Sequence, residues 1–454
     1  MARRGLSLRP HSSYAWTMFI EPLPWCDPRD LFGRFANEPW VAWLDSGGSL
    51  EDPRGRFGYL CVDPVEVLTA RANEQPFERL EALLARHTKT AVEGPLPFMG
   101  GAVGLLGYAL AGAVEKMSFR HEDDIGLPDL AVGIYERLIG YDRLTRKAWL
   151  IAPDDGPRTQ ALRKRLTGKG SSTSSLPKLE WRAEMGQSAY LRAVEQMREY
   201  IRAGDVFEAN LTARFLAHRP AGLHPASVYL ALRAASPNPF GAYLAFGDGT
   251  ALCSASPENF IRLKRDGQME TRPIKGTRPR DADPAQDARL SAELAESEKD
   301  RAENLMIVDL MRHDLGRVAE IGSVKVPELF QVEHFHSVHH LVSAVTARLK
   351  PGLNATDVLR AAFPGGSVTG APKLRAMQII DELEAGRRGA YCGSVVWIGF
   401  DGAMDSSIVI RSVAVGRKLL AAQAGGAILA ESDPAQEYEE MRVKLAPLLV
   451  GADG

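Results

Sequence analysis

The chain has 454 residues, a formal net charge of −2, 45% hydrophobic residues and 25% charged residues. That balance is ordinary for a folded protein in water, and it creates no global field that would draw in nucleic acid or an anionic membrane. The four cysteines, Cys26, Cys61, Cys253 and Cys392, are far apart and form no C-x-x-C pair. This argues against a disulfide framework or a cysteine-based zinc site and fits a reducing compartment.

The first residues, MARRGLSLRPHSSYAWTMF, are basic but contain no continuous apolar run. No signal peptide is expected, no transmembrane helix is expected, and a cytoplasmic setting follows. WVAWLDS (40–46), YLCV (59–62) and KAWLIAP (147–153) read as strands. Between them, PFMGGAVGLLGY (97–108) predicts glycines at close backbone approaches. The Ser- and Gly-rich KGSSTSSLPK (169–178) reads as an exposed linker, dividing residues 1–178 from 179–454. After it comes a helix with Ser188 as N-cap, one stripe of Tyr190, Val194, Met197 and Ile201, and Gly204 at its stop. Strands are expected at 206–217, 242–246 and 259–263. The helix predicted over 299–315 has the apolar middle LMIVDLM and is expected to be buried nearly all round. Another helix begins near Pro372. Strands follow at 391–400, 407–415 and 418–429.

Several segments carry residues suited to chemistry. TRPIKGTRPR (271–280) sets Lys275 among arginines; alone, it reads as a solvated lysine in a basic turn. Glu303, Asp309, Arg312 and Asp314 interrupt an apolar helix. Asp309 and Arg312 are spaced to pair, whereas Glu303 has no good partner in its own helix, Lys299 and Arg301 being poorly placed. FPGGSVTGAPK (363–373) is a glycine-rich loop feeding a helix, which suits a carboxylate or a tight turn and lacks the lysine of a P-loop. In HFHSVHHLVS (334–343), a strand would put His334, His336 and His340 on one face; without a metal-site motif, one functional histidine is the better reading. The acidic run Glu431, Asp433, Glu437, Glu439 and Glu440 reads as a solvated helix start, or as a source of Mg²⁺ ligands.

Together these motifs resemble the chorismate-utilising enzymes, in order and over nearly the whole chain. The segments that carry the resemblance are AGDVFEANLTARF (203–215), SASPENF (254–260), PIKGTRPR (273–280), KDRAENLMIVDLMRHDLGRV (299–318), HLVSAV (340–345), FPGGSVTGAPKLRAM (363–377), YCGSVVWIG (391–399), IVIRS (408–412) and the GGAIL…DPAQEYEE tail. The resemblance implies an α+β fold: two large, mostly antiparallel sheets packed as a sandwich, helices outside, and the two parts of the chain interlocked. It implies chorismate as substrate and Mg²⁺ as cofactor. PIKGT is similar to the branch that aminates chorismate at C4, towards p-aminobenzoate and folate. Anthranilate synthases, which aminate C2 and eliminate pyruvate, carry alanine in PIAGT. The basic lysine of isochorismate and salicylate synthases is absent, because Glu208 stands at its place, where glutamine is common.

The resemblance further implies roles for individual residues. Lys275 would attack C2 and form a covalent intermediate, and Glu258 would protonate the departing C4 hydroxyl. Glu303 and Glu437 would hold Mg²⁺. Thr369, Gly370, Arg411, Tyr391, His340 and Lys444 would contact the substrate. Mg²⁺, arginines and desolvation are expected to lower the pKa of Lys275. No glutaminase elbow, G-x-C-x-G, occurs, so ammonia is expected from a separate glutamine amidotransferase subunit or from free ammonium. PWVAWLDSG (39–47) is similar to the segment that binds tryptophan in this family, with Ser46 as its polar residue.

Overall fold

The computed structural model describes residues 18–50, 52–89, 93–115, 117–168, 175–335 and 338–452. Gly101–Leu106, Leu130–Tyr135, Leu138–Asp142 and Thr250–Ser256 are strands buried along their entire length. Neither face of such a strand meets water, so its sheet must be covered on both sides.

Two sheets result, and their strand pairs are antiparallel. The 12-stranded sheet runs Phe19–Leu23, Lys147–Ala152, Leu138–Asp142, Phe57–Cys61, Ala42–Asp45, Phe240–Phe246, Thr250–Ser256, Ser412–Val415, Leu419–Ile428, Glu208–His218, Gly370–Ala371. The 10-stranded sheet runs Ile274–Pro279, Val338–Arg348, Gln268–Thr271, Asn259–Leu263, Met404–Ile408, Ser394–Gly399, Gly101–Leu106, Leu130–Tyr135, Glu66–Ala70. Arg182–Ala183 and Lys325–His334 pair at the side of these paths. Both sheets draw strands from either side of residues 169–178. Of that segment, 169–174 lie outside the described residues, and Leu176 packs against the core.

Between the sheets lies an apolar layer that includes Tyr59, Cys61, Val103, Leu105, Leu244 and Val395. Helices Gln187–Arg202, Pro225–Ala235, Lys373–Leu383 and Pro434–Leu445 cover the outer face of the larger sheet. Helices Pro76–His87, Glu298–Gly316 and Ala355–Ala362 cover the outer face of the smaller one. Among the described residues, no helix is long and apolar enough to cross a membrane.

Several details depart from expectation. The N-cap of the helix after the linker is Gly186, and Ser188 already lies inside it; Gly204 closes it as expected, with φ +82°. Helix Glu298–Gly316 is one-sided: Ile307, Val308, Met311 and Leu315 are buried, while Leu305 and the Asp309–Arg312 ion pair face solvent. The predicted strand 407–415 is two strands in different sheets, broken at Val409–Arg411, where Arg411 has φ +51°. The strand predicted from Tyr391 starts only at Ser394.

The glycines of the 97–108 segment do mark close approaches. A Cβ on Gly101 would sit 2.1 Å from the Ile398 carbonyl oxygen, and one on Gly104 would sit 2.0 Å from that of Ala131. Neither oxygen can move without breaking the ladder. Gly104→Ala is therefore expected to destabilise the protein by about 1–3 kcal/mol, read as a lower urea midpoint; an unchanged midpoint would refute the close approach.

Candidate active site

Lys275 lies on the edge strand Ile274–Pro279, whose pairing to Val338–Arg348 shifts register between Ile274 and Thr277. Gly276 makes that irregularity possible. Its φ is +85°, and a Cβ there would meet Leu294 and Asp300 within 3.0 Å. The flanking arginines hold the strand in place. Arg272 pairs with Glu328 and Glu333, Arg278 with Glu293 and Asp300, and Arg280 with Asp287.

The lysine is buried and points at carboxylates. Its Nζ donates to Glu208 Oε1 at 2.9 Å and lies 3.8 Å from Glu303 Oε2. Burial alone pushes the Lys275 ammonium down, but Glu208 and Glu303 outweigh it, and its pKa is raised above the ordinary lysine range. Desolvation acts as expected, but the expected contribution of the arginines is not found. The nearest charges are acidic, and the arginines are committed elsewhere. Glu303 is held by its neighbour Asn304, which accepts from Ser343 Oγ at 2.5 Å and donates to the Leu341 carbonyl. Burial lifts the Glu303 carboxyl to about 7. Lys299, which the sequence reading set aside, does reach it, at 3.9 Å.

Glu258 sits where the chain passes from Thr250–Ser256 in one sheet to Asn259–Leu263 in the other. Burial raises its pKa, against the pull of a Ser367 hydrogen bond, Lys275 and Lys444. Arg411 sits at the neighbouring crossing. Among the described residues it makes no ion pair; its Nη1 donates to the Lys444 carbonyl at 2.9 Å, and burial lowers its pKa. Tyr391 lies beside it, buried, its hydroxyl held neutral well above the usual range by desolvation.

Asp433 caps helix Pro434–Leu445 and Pro434 occupies its first turn, so the helix lies over strand Leu419–Ile428. Glu437 is buried, not solvated. Its Oε1 accepts from Ser432 Oγ at 2.7 Å, and burial followed by the charge of Glu440 raises its pKa. A Cβ on Gly426 would lie 3.3 Å from both Glu437 and Glu440 and 3.7 Å from Lys444 Nζ, so these three groups converge over that glycine. Lys444 is engaged with Glu440 at 2.5 Å and with the Gly425 carbonyl. Lys299 offsets both Glu437 and Glu440.

The glycine-rich loop closes the cluster. Thr369 is fully buried and its hydroxyl donates to the Gly365 carbonyl at 2.9 Å, which shapes the loop. Gly370 pairs with Ala209, and a Cβ there would strike the Glu208 carbonyl at 2.1 Å. A buried Arg388–Glu384 pair braces the junction, with Arg388 donating to the Val368 and Asn210 carbonyls at 2.7 Å. Sequence reasoning missed this brace; its signal is the i, i+4 spacing of Glu384 and Arg388.

His340 lies on strand Val338–Arg348, its Nδ1 2.9 Å from Thr277 Oγ1. The expected shared face of His334, His336 and His340 is not what forms. His334 meets His339 at 2.7 Å across a hairpin, and His339 also contacts Asp287; His336 lies outside the described residues. Ser46 is elsewhere. It lines a cavity of about 740 Å³ between the sheets, with Arg54, Tyr59, Arg262, Trp397 and Asp405, and none of the Lys275 cluster reaches it. The Ser46 hydroxyl donates to the Phe57 carbonyl.

Residues 47–450 match the model of the chorismate binding enzyme family. The chain belongs to that family. It is 45% identical to aminodeoxychorismate synthase component 1 of Klebsiella aerogenes, over 92% of this chain and 95% of that one. It is 41% identical to anthranilate synthase component 1 of Thermus thermophilus, over 86% of this chain and 85% of that one. Among solved structures, anthranilate synthase component I from Streptococcus pneumoniae superposes with a TM-score of 0.78 at 31% identity, covering 87% of this chain and 92% of that one. The α+β sandwich is thus a shared fold, and the chain is an enzyme acting on chorismate.

Burial, followed by the charge of Arg54, pushes the His340 imidazole down to about 4. Its unfolded value is near 6.5, so above that pH the ring is neutral in both states. Between pH 6.5 and 4 the unfolded chain takes a proton the folded one refuses, and stability falls. His340→Gln is expected to lose part of this slope, measured as urea midpoints at pH 7 and 4.5. An identical slope in the variant would refute a buried neutral His340.

Proposed function

We propose that this chain is the synthase component of an aminodeoxychorismate synthase. It replaces the C4 hydroxyl of chorismate with an amino group from ammonia, giving 4-amino-4-deoxychorismate. The observation that carries this reading is Lys275: a largely enclosed lysine 2.9 Å from Glu208 and 3.8 Å from Glu303, with the charge of Glu258 also acting on it, at the position where PIKGT and PIAGT members divide. Relatives bearing both names lie close in identity, so the lysine decides between them.

The chemistry follows from the side chains. Lys275, an ammonium at rest, first releases a proton to water; the neutral amine then forms a bond to C2, the ring double bonds shift, and the C4–O bond breaks. Glu258 gives a proton to the leaving oxygen, which departs as water; a carboxyl whose pKa burial raises suits this role. Ammonia then bonds to C4, and the C2–N bond returns its electron pair to Lys275. Arg411, a buried cation with no carboxylate partner among the described residues, is suited to a substrate carboxylate, with Tyr391 beside it. Thr369 and Gly370 shape the loop that receives the substrate, His340 stands near Lys275's strand as a neutral ring, and Lys444 adds positive charge over Gly426.

The acidic side chains here also fit Mg²⁺. Glu303, mostly enclosed, and Glu437, buried, are carboxylates whose pKa values burial raises, and they offer hard oxygen donors. Among the described residues no three His, Cys, Asp or Glu side chains converge into a metal cage. Mg²⁺ needs none, since it takes one or two carboxylates and keeps water. Glu303 and Glu437 would hold it, and it would supply positive charge to stabilise a substrate carboxylate. The relatives named component 1 imply a partner component, which we take to be a glutamine amidotransferase that supplies ammonia. The inter-sheet cavity beside Ser46 is our candidate tryptophan site.

Incubation with chorismate, Mg²⁺ and ammonium is expected to give aminodeoxychorismate. Anthranilate with pyruvate as the main product would assign the chain to C2 amination instead. Lys275→Ala is expected to lower kcat/KM at least about a hundredfold. Glu303→Gln and Glu437→Gln are expected to raise the Mg²⁺ concentration needed for half-maximal rate; an unchanged Mg²⁺ dependence would remove them as ligands.

A further inference from the structure

One enclosed lysine takes no part in the chemistry above. Lys373 opens helix Lys373–Leu383, and its side chain is 14% exposed. Its Nζ donates to Asp314 Oδ2 at 2.6 Å and to the Ala362 carbonyl at 2.8 Å. Asp314 is buried near the end of helix Glu298–Gly316, which carries Glu303 near its start. Ala362 is the last residue of helix Ala355–Ala362. One ammonium thus joins three helices. The arrangement is a costly one. A cation in the first turn opposes the helix dipole, and a buried ion pair gives up hydration that an apolar pair would not. Burial lowers the Lys373 pKa and raises that of Asp314, against their mutual attraction. Stability alone does not call for such a pair.

What the pair encloses is the glycine-rich loop. Ala362 and Lys373 stand on either side of residues 363–372, so the bond between them ties the two ends of the loop together. Asp314 then ties those ends to the helix that bears Glu303. The middle of the loop is held as well. Gly366 lies against the same helix, where a Cβ would meet Leu310 at 2.6 Å and Met311 at 2.9 Å. The Thr369 carbonyl accepts from Asn210 N–H at 2.8 Å, and the Ser367 side chain hydrogen-bonds Glu258. We propose that Lys373 is a positioning residue for chorismate: by closing loop 363–372 onto helix Glu298–Gly316, it keeps Thr369, Gly370 and the Ser367–Glu258 pair at a fixed place relative to Glu303. With its ends untied, the loop samples conformations in which these groups no longer converge, and substrate binding must select the rare ones that do. Lys373 acts through the loop, not by touching the substrate. This role rests on the reading above that Thr369 and Gly370 shape the loop that receives chorismate.

Lys373→Met alone would leave Asp314 buried and unpaired, so both charges are removed together. The double variant Lys373→Met, Asp314→Leu is expected to fold with a urea midpoint near that of the unmodified protein. Two readouts are taken: amide hydrogen exchange of the free protein, and KM for chorismate with Mg²⁺ and ammonium chloride saturating. The expected result is faster exchange centred on residues 363–372, with KM for chorismate raised about tenfold and a smaller change in kcat. Unchanged exchange in 363–372 overturns the proposal, because Lys373 would not be clamping the loop. Faster exchange with an unchanged KM overturns it too, and shows that the clamped loop does not receive the substrate. A fall in kcat alone, with KM unchanged, marks a purely structural pair and counts against the proposal in the same way. The product is identified in the same assay: anthranilate and pyruvate from the unmodified protein would sink C4 amination, while KM and exchange still decide the role of Lys373. Should the double variant not fold, by circular dichroism, Asp314→Asn serves. It keeps the bond to Ala362 and loosens the tie to the helix, and the proposal requires a raised KM for chorismate there too.

Discussion

The site depends on two places where the chain leaves one sheet and enters the other. One is Pro257–Glu258, between Thr250–Ser256 and Asn259–Leu263; the other is Val409–Arg411, between Met404–Ile408 and Ser412–Val415. They run side by side, tied by Ile408 N–H to the Glu258 carbonyl at 3.1 Å and Ala255 N–H to the Arg411 carbonyl at 3.0 Å. A third segment locks them, as Val409 exchanges hydrogen bonds with Cys392 and Gly393. The seam between the sheets is thus fixed by backbone hydrogen bonds, and it carries Glu258 and Arg411 on fixed backbone positions.

The remaining side chains reach this seam from elements that each sheet holds rigid. The larger sheet supplies Glu208 and, through the helix above Gly426, Glu437. The smaller sheet supplies Lys275 and His340, and its covering helix supplies Glu303. Acidic groups outnumber basic ones here: Glu208, Glu258, Glu303, Glu437 and Glu440 stand against Lys275, Lys299 and Lys444. Burial raises the pKa values of Glu258, Glu303 and Glu437, so ionising all of them together is costly. On the proposed reading, a divalent cation held by Glu303 and Glu437 would offset that acidic excess.

Much of this was legible in the sequence, for identifiable reasons. Asn259–Leu263 and Leu419–Ile428 follow from apolar pattern, and the family motifs pointed to Lys275, Glu258, Glu303 and Glu437, which the fold brings into one cluster. What failed shares a cause: properties set by distant partners. The run 407–415 reads as one strand because periodicity is blind to which sheet a residue joins. Of the causes expected to lower the Lys275 pKa, desolvation does act, but the three arginines flanking it in sequence are each paired outward, and the charges that outweigh burial come from 208 and 303. Helix Glu298–Gly316 looked apolar all round, yet only one side meets the sheet.

The pairing of Lys275 has a consequence for the protein at rest. A nucleophilic amine in a cell full of aldehydes, keto acids and carbon dioxide is open to imine formation and carbamylation, which would silence it. Held as an ammonium by Glu208 and Glu303, it has no lone pair to offer. The lysine is therefore chemically muted until its surroundings change, and selectivity among electrophiles begins before any of them binds.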